Sequence, residues 1–382
     1  MTEVLSFPAL GLSFNINRVA FQIGPFTVYW YGILIAIGVA LALTYAMSKA
    51  RKSGVHPDRF IDVIMGGFVG GIIGARLYYV VFEWDYYKEN LGEIYKIWNG
   101  GLGIYGGLIG ALLVAFLMCK WRKVKVLPVF DLASMGFLIG QSIGRWGNFF
   151  NIEAFGSNTN LPWGMTSDKI MYFLAANADK LKEQGVNIVI NDPVHPTFLY
   201  ESLWCALGFV LLNFYFKRRR FDGEIFLLYT AWYGFGRFFI EGLRTDSLVI
   251  GAVRVSQVLA AVLMFAAIII EIIVRYRIAS EHDPEYLKPY GQTEESAIML
   301  AEIDEMLKNK GKKKQAEEQI AEESAESDAD AETEVEADAE TDAAVEEPAD
   351  VAEEQADEQA VEPAEEEKQE EPVDPEQVET EQ

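Results

Sequence analysis

Long apolar stretches recur along residues 1–280 and are separated by polar connections. A bilayer core about 30 Å thick requires roughly 20 apolar residues per helix. Seven stretches meet or approach this length: 28–47, 60–82, 99–119, 129–150, 196–216, 224–240 and 253–273. Because soluble cores do not contain so many long apolar runs, the pattern predicts an all-α polytopic membrane protein with about seven transmembrane helices.

Basic residues cluster in alternate connections, whereas the intervening connections are mixed in charge. The basic groups follow stretches 1, 3, 5 and 7: Lys49, Arg51, Lys52 and Arg59; Lys120, Arg122, Lys123 and Lys125; Lys217, Arg218, Arg219 and Arg220; Arg275 and Arg277. Lysine and arginine are enriched in cytoplasmic loops. The alternation therefore predicts that the N-terminus lies outside and the C-terminus in the cytoplasm.

The polar regions predict three further parts of the chain. Residues 151–195, within a membrane domain spanning 1–280, are too long for a tight turn and predict a small extracytoplasmic cap. Residues 281–314 form a juxtamembrane segment with an amphipathic helix. Its apolar positions are Ile298, Met299, Leu300, Ile303, Met306 and Leu307. Residues 315–382 are rich in Ala, Glu, Asp and Gln and predict a disordered acidic tail.

The net charge of −25 comes from that tail. Residues 315–382 hold 30 of the 57 acidic side chains and one of the 32 basic ones, which leaves 27 acidic and 31 basic side chains for residues 1–314. The membrane domain is therefore nearly neutral, and a nucleic-acid partner is not expected. Two cysteines exclude a disulfide scaffold, and three histidines are too few for a histidine-rich metal site.

Six ionisable residues lie inside or at the ends of the apolar stretches: Arg76, Arg145, Glu201, Arg237, Glu241 and Arg244. A charge at the bilayer centre costs about 2.5–3.5 kcal/mol even on the mildest scale, so each needs a physical reason. At about 1.5 Å of rise per residue, they fall within roughly 10 Å of the predicted outer boundary, as do Tyr31, Tyr105 and His195. This common depth favours one shared site over independent ion pairs.

Arg145 and Arg237 are the predicted centre of that site. Guanidinium groups bind phosphate well because two N–H donors meet two oxygens at once. Glu241 follows Arg237 by four residues, so it lies on the same helical face and can orient the arginine. Asn148 and Asn151 add neutral donors and acceptors. Phosphate at this depth is typical of a phospholipid headgroup, so the residues indicate an outward-facing phosphate-binding pocket.

Six sequence blocks resemble the prolipoprotein diacylglyceryl transferase family in the same order, over about residues 20–275. They are Trp30-Tyr31-Gly32, Gly74-Ala75-Arg76, Tyr105-Gly106-Gly107-Leu108-Ile109-Gly110, Gly144-Arg145-Trp146-Gly147-Asn148-Phe149-Phe150-Asn151-Ile152-Glu153 ending in Gly156, His195-Pro196-Thr197-Phe198-Leu199-Tyr200-Glu201, and Tyr233-x3-Arg237-x3-Glu241-x2-Arg244. The resemblance implies an enzyme of the bacterial cytoplasmic membrane. It would transfer the diacylglyceryl group of phosphatidylglycerol to the lipobox cysteine of a preprolipoprotein, form a thioether and release glycerol 1-phosphate, with no metal or cofactor.

The resemblance also implies roles for individual residues. Arg145, Arg237 and Tyr105 match catalytic positions. The substrate-binding candidates are Tyr31, Arg76, Asn148, Asn151, Glu153, Gly156, Glu241 and Arg244, and the further candidates are His195, Glu201 and Tyr233. Many family members carry histidine where this chain has Tyr105. Three roles are open for that tyrosine: it orients substrate by hydrogen bonding, it acts as a perturbed phenolate, or a phosphate oxygen accepts the thiol proton instead. We favour orientation, because an unperturbed tyrosine with a pKa of about 10 is a poor base.

The main alternative is a multi-span transporter or channel for an anionic lipid or a small anion. A transporter predicts polar residues continuing to the cytoplasmic side and an internal repeat. The inner halves of stretches 3, 5 and 7 are almost wholly apolar, and no repeat is evident. A metal-dependent headgroup transferase predicts clustered aspartates, which Asp62 and Asp131 do not form.

Overall fold

The protein is described here from a computed structural model. The structure describes residues 2–245, 249–250, 253–283 and 285–309. The predicted tail, 315–382, lies outside the described residues.

Helices dominate the described part of the chain. They are α1 (Trp30–Ala50), α2 (Pro57–Phe82), α3 (Trp84–Tyr87), α4 (Ile104–Trp121), α5 (Val126–Asn151), α6 (Asp168–Ala176), α7 (Ala178–Glu183), α8 (Thr197–Phe216), α9 (Glu224–Leu243), α10 (Val255–Glu281) and α11 (294–309). Short 3₁₀ helices occupy Pro8–Leu10, Arg51–Ser53, Leu91–Glu93, Ile97–Asn99 and Tyr290–Gln292. The strands are β1 (Thr2–Phe7), β2 (Leu12–Asn17), β3 (Val19–Ile23), β4 (Phe26–Tyr29), β5 (Val249–Ile250) and β6 (Val253–Arg254), paired antiparallel as β1–β2, β3–β4 and β5–β6.

Six helices in the described ranges are long and apolar enough to cross a membrane: α1, α2, α4, α5, α8 and α10. The prediction of an all-α polytopic membrane protein is confirmed. The seventh predicted helix forms as α9, which has 20 residues and is therefore about 30 Å long. It is not among the six, and it carries Arg237 and Glu241, two of the predicted site residues.

Helices α2 and α4 approach each other closely along the glycines that the sequence repeats at four-residue spacing. A Cβ atom on Gly74 would lie 2.4 Å from the carbonyl oxygen of Gly106. One on Gly110 would lie 2.3 Å from the carbonyl oxygen of Gly70. These backbones touch only because the side chains are absent, so the small-residue stripe is a packing surface.

The region between α5 and α8, predicted as a cap at 151–195, contains α6 and α7. The β1–β2 hairpin joins this region, since Ser6 and Thr166 exchange both backbone hydrogen bonds at 2.9 and 2.8 Å. Leu5, Phe7 and Ile16 of the hairpin are buried in one cluster with apolar residues of the cap. The strands β1 to β4 have four to six residues each, far fewer than a transmembrane helix. The pattern of long apolar stretches therefore does not predict these hairpins.

The predicted amphipathic helix is present as α11 and packs on the bundle end opposite the cap. Ser296 and Ile303 are buried, while Ile298 and Met306 are exposed. Arg51 donates two hydrogen bonds to Asp304, at 2.9 and 2.6 Å. The hydrogen bond from Arg51 is the main reason that the pKa of Asp304 falls to about 2. The helix is therefore tied to the turn between α1 and α2.

Deleting residues 315–382 is expected to leave activity unchanged, since the charged residues predicted for the site all lie before residue 245 and pair with one another there: Arg145 and Arg237 with Glu201, and Arg237 with Glu241. Deleting 285–382 also removes α11 and is expected to lower the midpoint of thermal unfolding in detergent, because the helix bundle loses its contacts with the buried side chains of Tyr290, Ser296 and Ile303. A large loss of activity in the shorter deletion contradicts this assignment of the tail.

Candidate functional site

Glu201 lies at the centre of the candidate site. It stands on the second turn of α8 and is only 2% exposed. One carboxylate oxygen accepts a hydrogen bond from Nη2 of Arg145, on α5. The same oxygen accepts one from the Tyr233 hydroxyl at 3.2 Å, and the other oxygen accepts one from Nη1 of Arg237 at 3.2 Å, both on α9. One buried carboxylate therefore cross-links three helices and sets the positions of both arginines.

Arg237 has a second carboxylate partner on its own helix. Its Nη2 lies 2.6 Å from an oxygen of Glu241, which is 2% exposed. The i,i+4 spacing that the sequence shows thus forms the ion pair it predicts. The side chains of Arg145 and Arg237 remain 22% and 18% exposed. Both cations are therefore held by buried carboxylates, and both side chains keep part of their surface exposed.

The chain turns sharply at the end of α5, and polar side chains around this turn are joined by hydrogen bonds to Arg145. The backbone of Ile152 has a φ of +48°, in the left-handed region, which turns the chain sharply after the helix. This turn brings one Glu153 oxygen to 2.9 Å from Nδ2 of Asn148 and 3.2 Å from Nδ2 of Asn151. Nη1 of Arg145 donates to Asn148 Oδ1 at 3.4 Å. These four predicted site residues are therefore one connected group.

Gly156, His195 and Arg244 meet where the cap joins α8 and α9. Gly156 donates its backbone N–H to the carbonyl of His195 at 2.9 Å and forms an antiparallel bridge with Arg244. A Cβ atom on Gly156 would lie 2.8 Å from that of His195 and 3.0 Å from the carbonyl of Leu243, so only glycine fits. Burial lowers the pKa of His195, whose Nδ1 lies 3.1 Å from the Tyr200 hydroxyl. The three residues connect the cap to the helices of the site.

Tyr31 lies at the start of α1 and packs its ring on Gly147 of α5. A Cβ atom on Gly147 would lie 2.3 Å from the Tyr31 ring, so the sequence motif needs glycine at this position. Beside it, Trp30 stacks on Phe150 with ring centroids 5.2 Å apart. Tyr31 and Asn151 both line an open groove of about 620 Å³.

Arg76 and Tyr105 make their contacts with other groups. Arg76 is buried and directs its donors to the backbone carbonyls of the loop before α4, those of Glu93, Ile94, Gly100 and Gly101, at 2.7–2.9 Å. Tyr105, on the first turn of α4, is 37% exposed and has its ring centroid 6.5 Å from that of Tyr78. Within the described ranges, no hydrogen bond joins either residue to Arg145 or Arg237. Their substrate roles stay predictions, and the contacts of Arg76 order the loop.

Several supporting residues were not predicted. Trp146 donates its indole N–H to the Ser202 hydroxyl at 3.1 Å, and Ser202 donates to the backbone carbonyl of Ser142 at 2.8 Å. Both bonds fix α5 against α8 at Ser202, the residue that follows Glu201. Trp146 lies inside the motif block around Arg145, so a signal was present. Ser142 and Ser202 carry no sequence signal that separates them from ordinary helix serines.

The chain is similar to proteins of one known family. The family model described as "Prolipoprotein diacylglyceryl transferase" matches residues 18–273. A phosphatidylglycerol--prolipoprotein diacylglyceryl transferase from Finegoldia magna is 45% identical over 257 residues, 67% of this chain and 95% of the relative. Proteins with the same name from Limosilactobacillus reuteri and Listeria innocua are 42% and 43% identical over 275 residues, covering 70% and 72% of this chain and 94% of each relative.

Proposed function

The chain belongs to the prolipoprotein diacylglyceryl transferase family, and we propose that it transfers the diacylglyceryl group of phosphatidylglycerol to the lipobox cysteine of a preprolipoprotein. This transfer is the first step of lipoprotein maturation. The observation that carries the proposal is the pair of partly exposed arginine side chains, Arg145 and Arg237, which both bind the buried carboxylate of Glu201. Such a pair has the charge and the donor geometry to bind a phosphodiester.

The reaction requires one bond to form and one to break. The cysteine sulfur of the acceptor attacks the diacylglyceryl carbon that is bonded to the phosphate oxygen. A C–S bond forms as the C–O bond breaks, and the bonding electrons leave with the phosphate of glycerol 1-phosphate. The proton of the thiol ends on the released phosphate monoester or in solvent. Negative charge therefore grows on the phosphate, where fixed cationic donors lower the barrier most.

Arg145 and Arg237 are suited to stabilise that charge. A guanidinium has five N–H donors, and the contacts described above use two nitrogens of each side chain. In the part of the chain that the structure describes, this leaves further donors on both arginines for phosphate oxygens. Because Glu201 and Glu241 already fix the guanidiniums, little reorganisation is needed as the charge develops.

The nucleophile belongs to the acceptor protein. Cys119 and Cys205 of this chain are both buried, which fits a supporting role in packing. We place the chain in the bacterial cytoplasmic membrane as a multi-pass protein, with the site facing the extracytoplasmic side. Two features support this orientation: the cap lies on the same side of the bundle as the site, and the basic connections lie at the opposite helix ends.

Tyr105→Phe is expected to lower the rate about tenfold or less, because the variant loses one hydrogen bond worth about 0.5–1.5 kcal/mol. The measurement is the rate of thioether formation on a lipobox peptide, together with binding of phosphatidylglycerol. Near-complete loss of turnover with intact lipid binding assigns proton transfer to Tyr105 instead. Tyr78→Phe, which alters the neighbouring ring in the same way, is the matched control.

The proposed function is tested with purified protein, phosphatidylglycerol and a synthetic lipobox peptide. Mass spectrometry is expected to show the peptide gaining one diacylglyceryl group, with an equal amount of glycerol 1-phosphate released. A peptide with serine in place of cysteine, and a reaction with diacylglycerol in place of phosphatidylglycerol, are expected to give no product. Absence of product from the complete reaction, or product without released phosphate, rejects the proposal.

A further inference from the structure

An open groove runs beside the candidate site and is not used by the lipid chemistry above. It has a volume of about 620 Å³, within the range of ligand-binding clefts. Its lining comes from the segment before β3, from β4, from the start of α1 and from the end of α5. The main lining residues are Arg18, Thr27, Val28, Tyr29, Tyr31 and Asn151.

The groove runs along β4. Thr27, Val28 and Tyr29, three consecutive residues of the strand, all line it, and Arg18 lines the end where its carbonyl accepts the Trp30 N–H at 3.1 Å. One edge of β4 pairs with β3, from Phe26 opposite Ile23 to Tyr29 opposite Val19. Within the described ranges, no second strand pairs with β4. An unpaired edge is the surface to which an extended polypeptide adds by backbone hydrogen bonds.

The inner end of this groove is connected to the phosphate-binding arginines. Asn151, which lines the groove, donates to Glu153 at 3.2 Å. Glu153 accepts a second bond from Asn148, which in turn accepts one from Arg145. A ligand along β4 therefore has one end beside Tyr31 and Asn151. A chain of three hydrogen bonds links that end to Arg145.

We propose that this groove binds the acceptor polypeptide in an extended conformation along β4, with its cysteine at the Tyr31–Asn151 end. The inference rests on the proposed function and identifies the site of its second substrate. A polypeptide fits better than an acyl chain, because the groove has a strand edge and the cationic side chain of Arg18. The lipid headgroup already has its own binding groups at Arg145 and Arg237.

Blocking the groove tests the proposal kinetically. Thr27→Trp fills the strand edge and is expected to raise the KM for the lipobox peptide about tenfold, with an unchanged KM for phosphatidylglycerol. Phe21→Trp, on β3 and outside the groove lining, is expected to behave like the wild type. An unchanged peptide KM in Thr27→Trp, or an equal rise in the lipid KM, overturns the assignment. If the wild-type protein transfers no diacylglyceryl group, the proposed function is rejected. Peptide binding in the groove is then decided by the crosslinking experiment below, which needs no turnover.

Disulfide capture tests the groove without turnover. Both natural cysteines are buried, so Thr27→Cys introduces an accessible thiol beside the groove. A lipobox peptide under mild oxidation, without lipid, is expected to crosslink to Thr27→Cys several times faster than to Phe21→Cys, since only the first position lies along the bound peptide. Equal rates at the two positions contradict peptide binding at β4, whether or not the Thr27→Trp variant folds.

Discussion

Replacing Arg145 or Arg237 by alanine is expected to lower the rate of diacylglyceryl transfer by about 10²–10³-fold, the usual cost of removing one fixed donor from developing negative charge. Each arginine side chain is partly exposed, and its guanidinium is oriented by Glu201. Alanine removes both the charge and the directed hydrogen bonds. The measurement is release of glycerol 1-phosphate at saturating phosphatidylglycerol and peptide.

Arg122→Ala is the matched control for these variants. Arg122 pairs with Asp62 at the opposite end of the bundle, so its loss removes a positive charge without touching the candidate site. We expect its rate to stay within about twofold of the wild type, as for a substitution away from the site. If Arg145→Ala or Arg237→Ala retains a rate similar to Arg122→Ala, the phosphate is not held by these arginines.

Glu201→Ala is expected to lower the free energy of unfolding by about 3–5 kcal/mol, because it leaves two partly buried cations without their shared anion. Glu201 is 2% exposed and also accepts the Tyr233 hydroxyl, so three hydrogen bonds are lost together. The variant is also expected to be nearly inactive, since both guanidiniums lose the group that positions them. Unfolding in detergent micelles, followed by circular dichroism, measures the first effect.

Two comparisons isolate the effect of charge at Glu201. Glu201→Gln keeps the shape and one acceptor and is expected to be intermediate in stability. Glu89→Ala, at an exposed position, is expected to change stability by less than about 0.5 kcal/mol. A Glu201→Ala variant as stable as Glu89→Ala contradicts the role of Glu201 as the buried link between helices.

The sequence identifies candidates for the charged core of the site, because charges are costly in apolar helices. Arg145, Arg237 and Glu241 could be selected on that cost and on their spacing. The pairing of both arginines with Glu201 could not be predicted in the same way. The role of Glu201 depends on how α5, α8 and α9 are rotated against one another, and the weak helical periodicity of nearly all-apolar spans leaves this rotation open.

Depth along a helix is a second limit of sequence reasoning. Arg76 shares the depth of the other charges, but depth fixes one coordinate only, and the lateral position of a side chain depends on tertiary packing. The sequence therefore does not predict that the Arg76 guanidinium binds backbone carbonyls of the loop before α4. The hairpins β1–β2 and β3–β4 were missed for a different reason, since short strands on an exposed surface have no long periodic pattern.

The central claim is that the phosphate of the lipid is held between Arg145 and Arg237, and ³¹P NMR of glycerol 1-phosphate tests it most directly. This soluble product carries the phosphate without the acyl chains. The wild-type protein and Arg122→Ala are expected to shift and broaden the ³¹P resonance in a saturable way, whereas the double variant Arg145→Ala/Arg237→Ala is expected to leave it unchanged. Saturable binding of equal strength by the double variant would place the phosphate elsewhere and contradict the account.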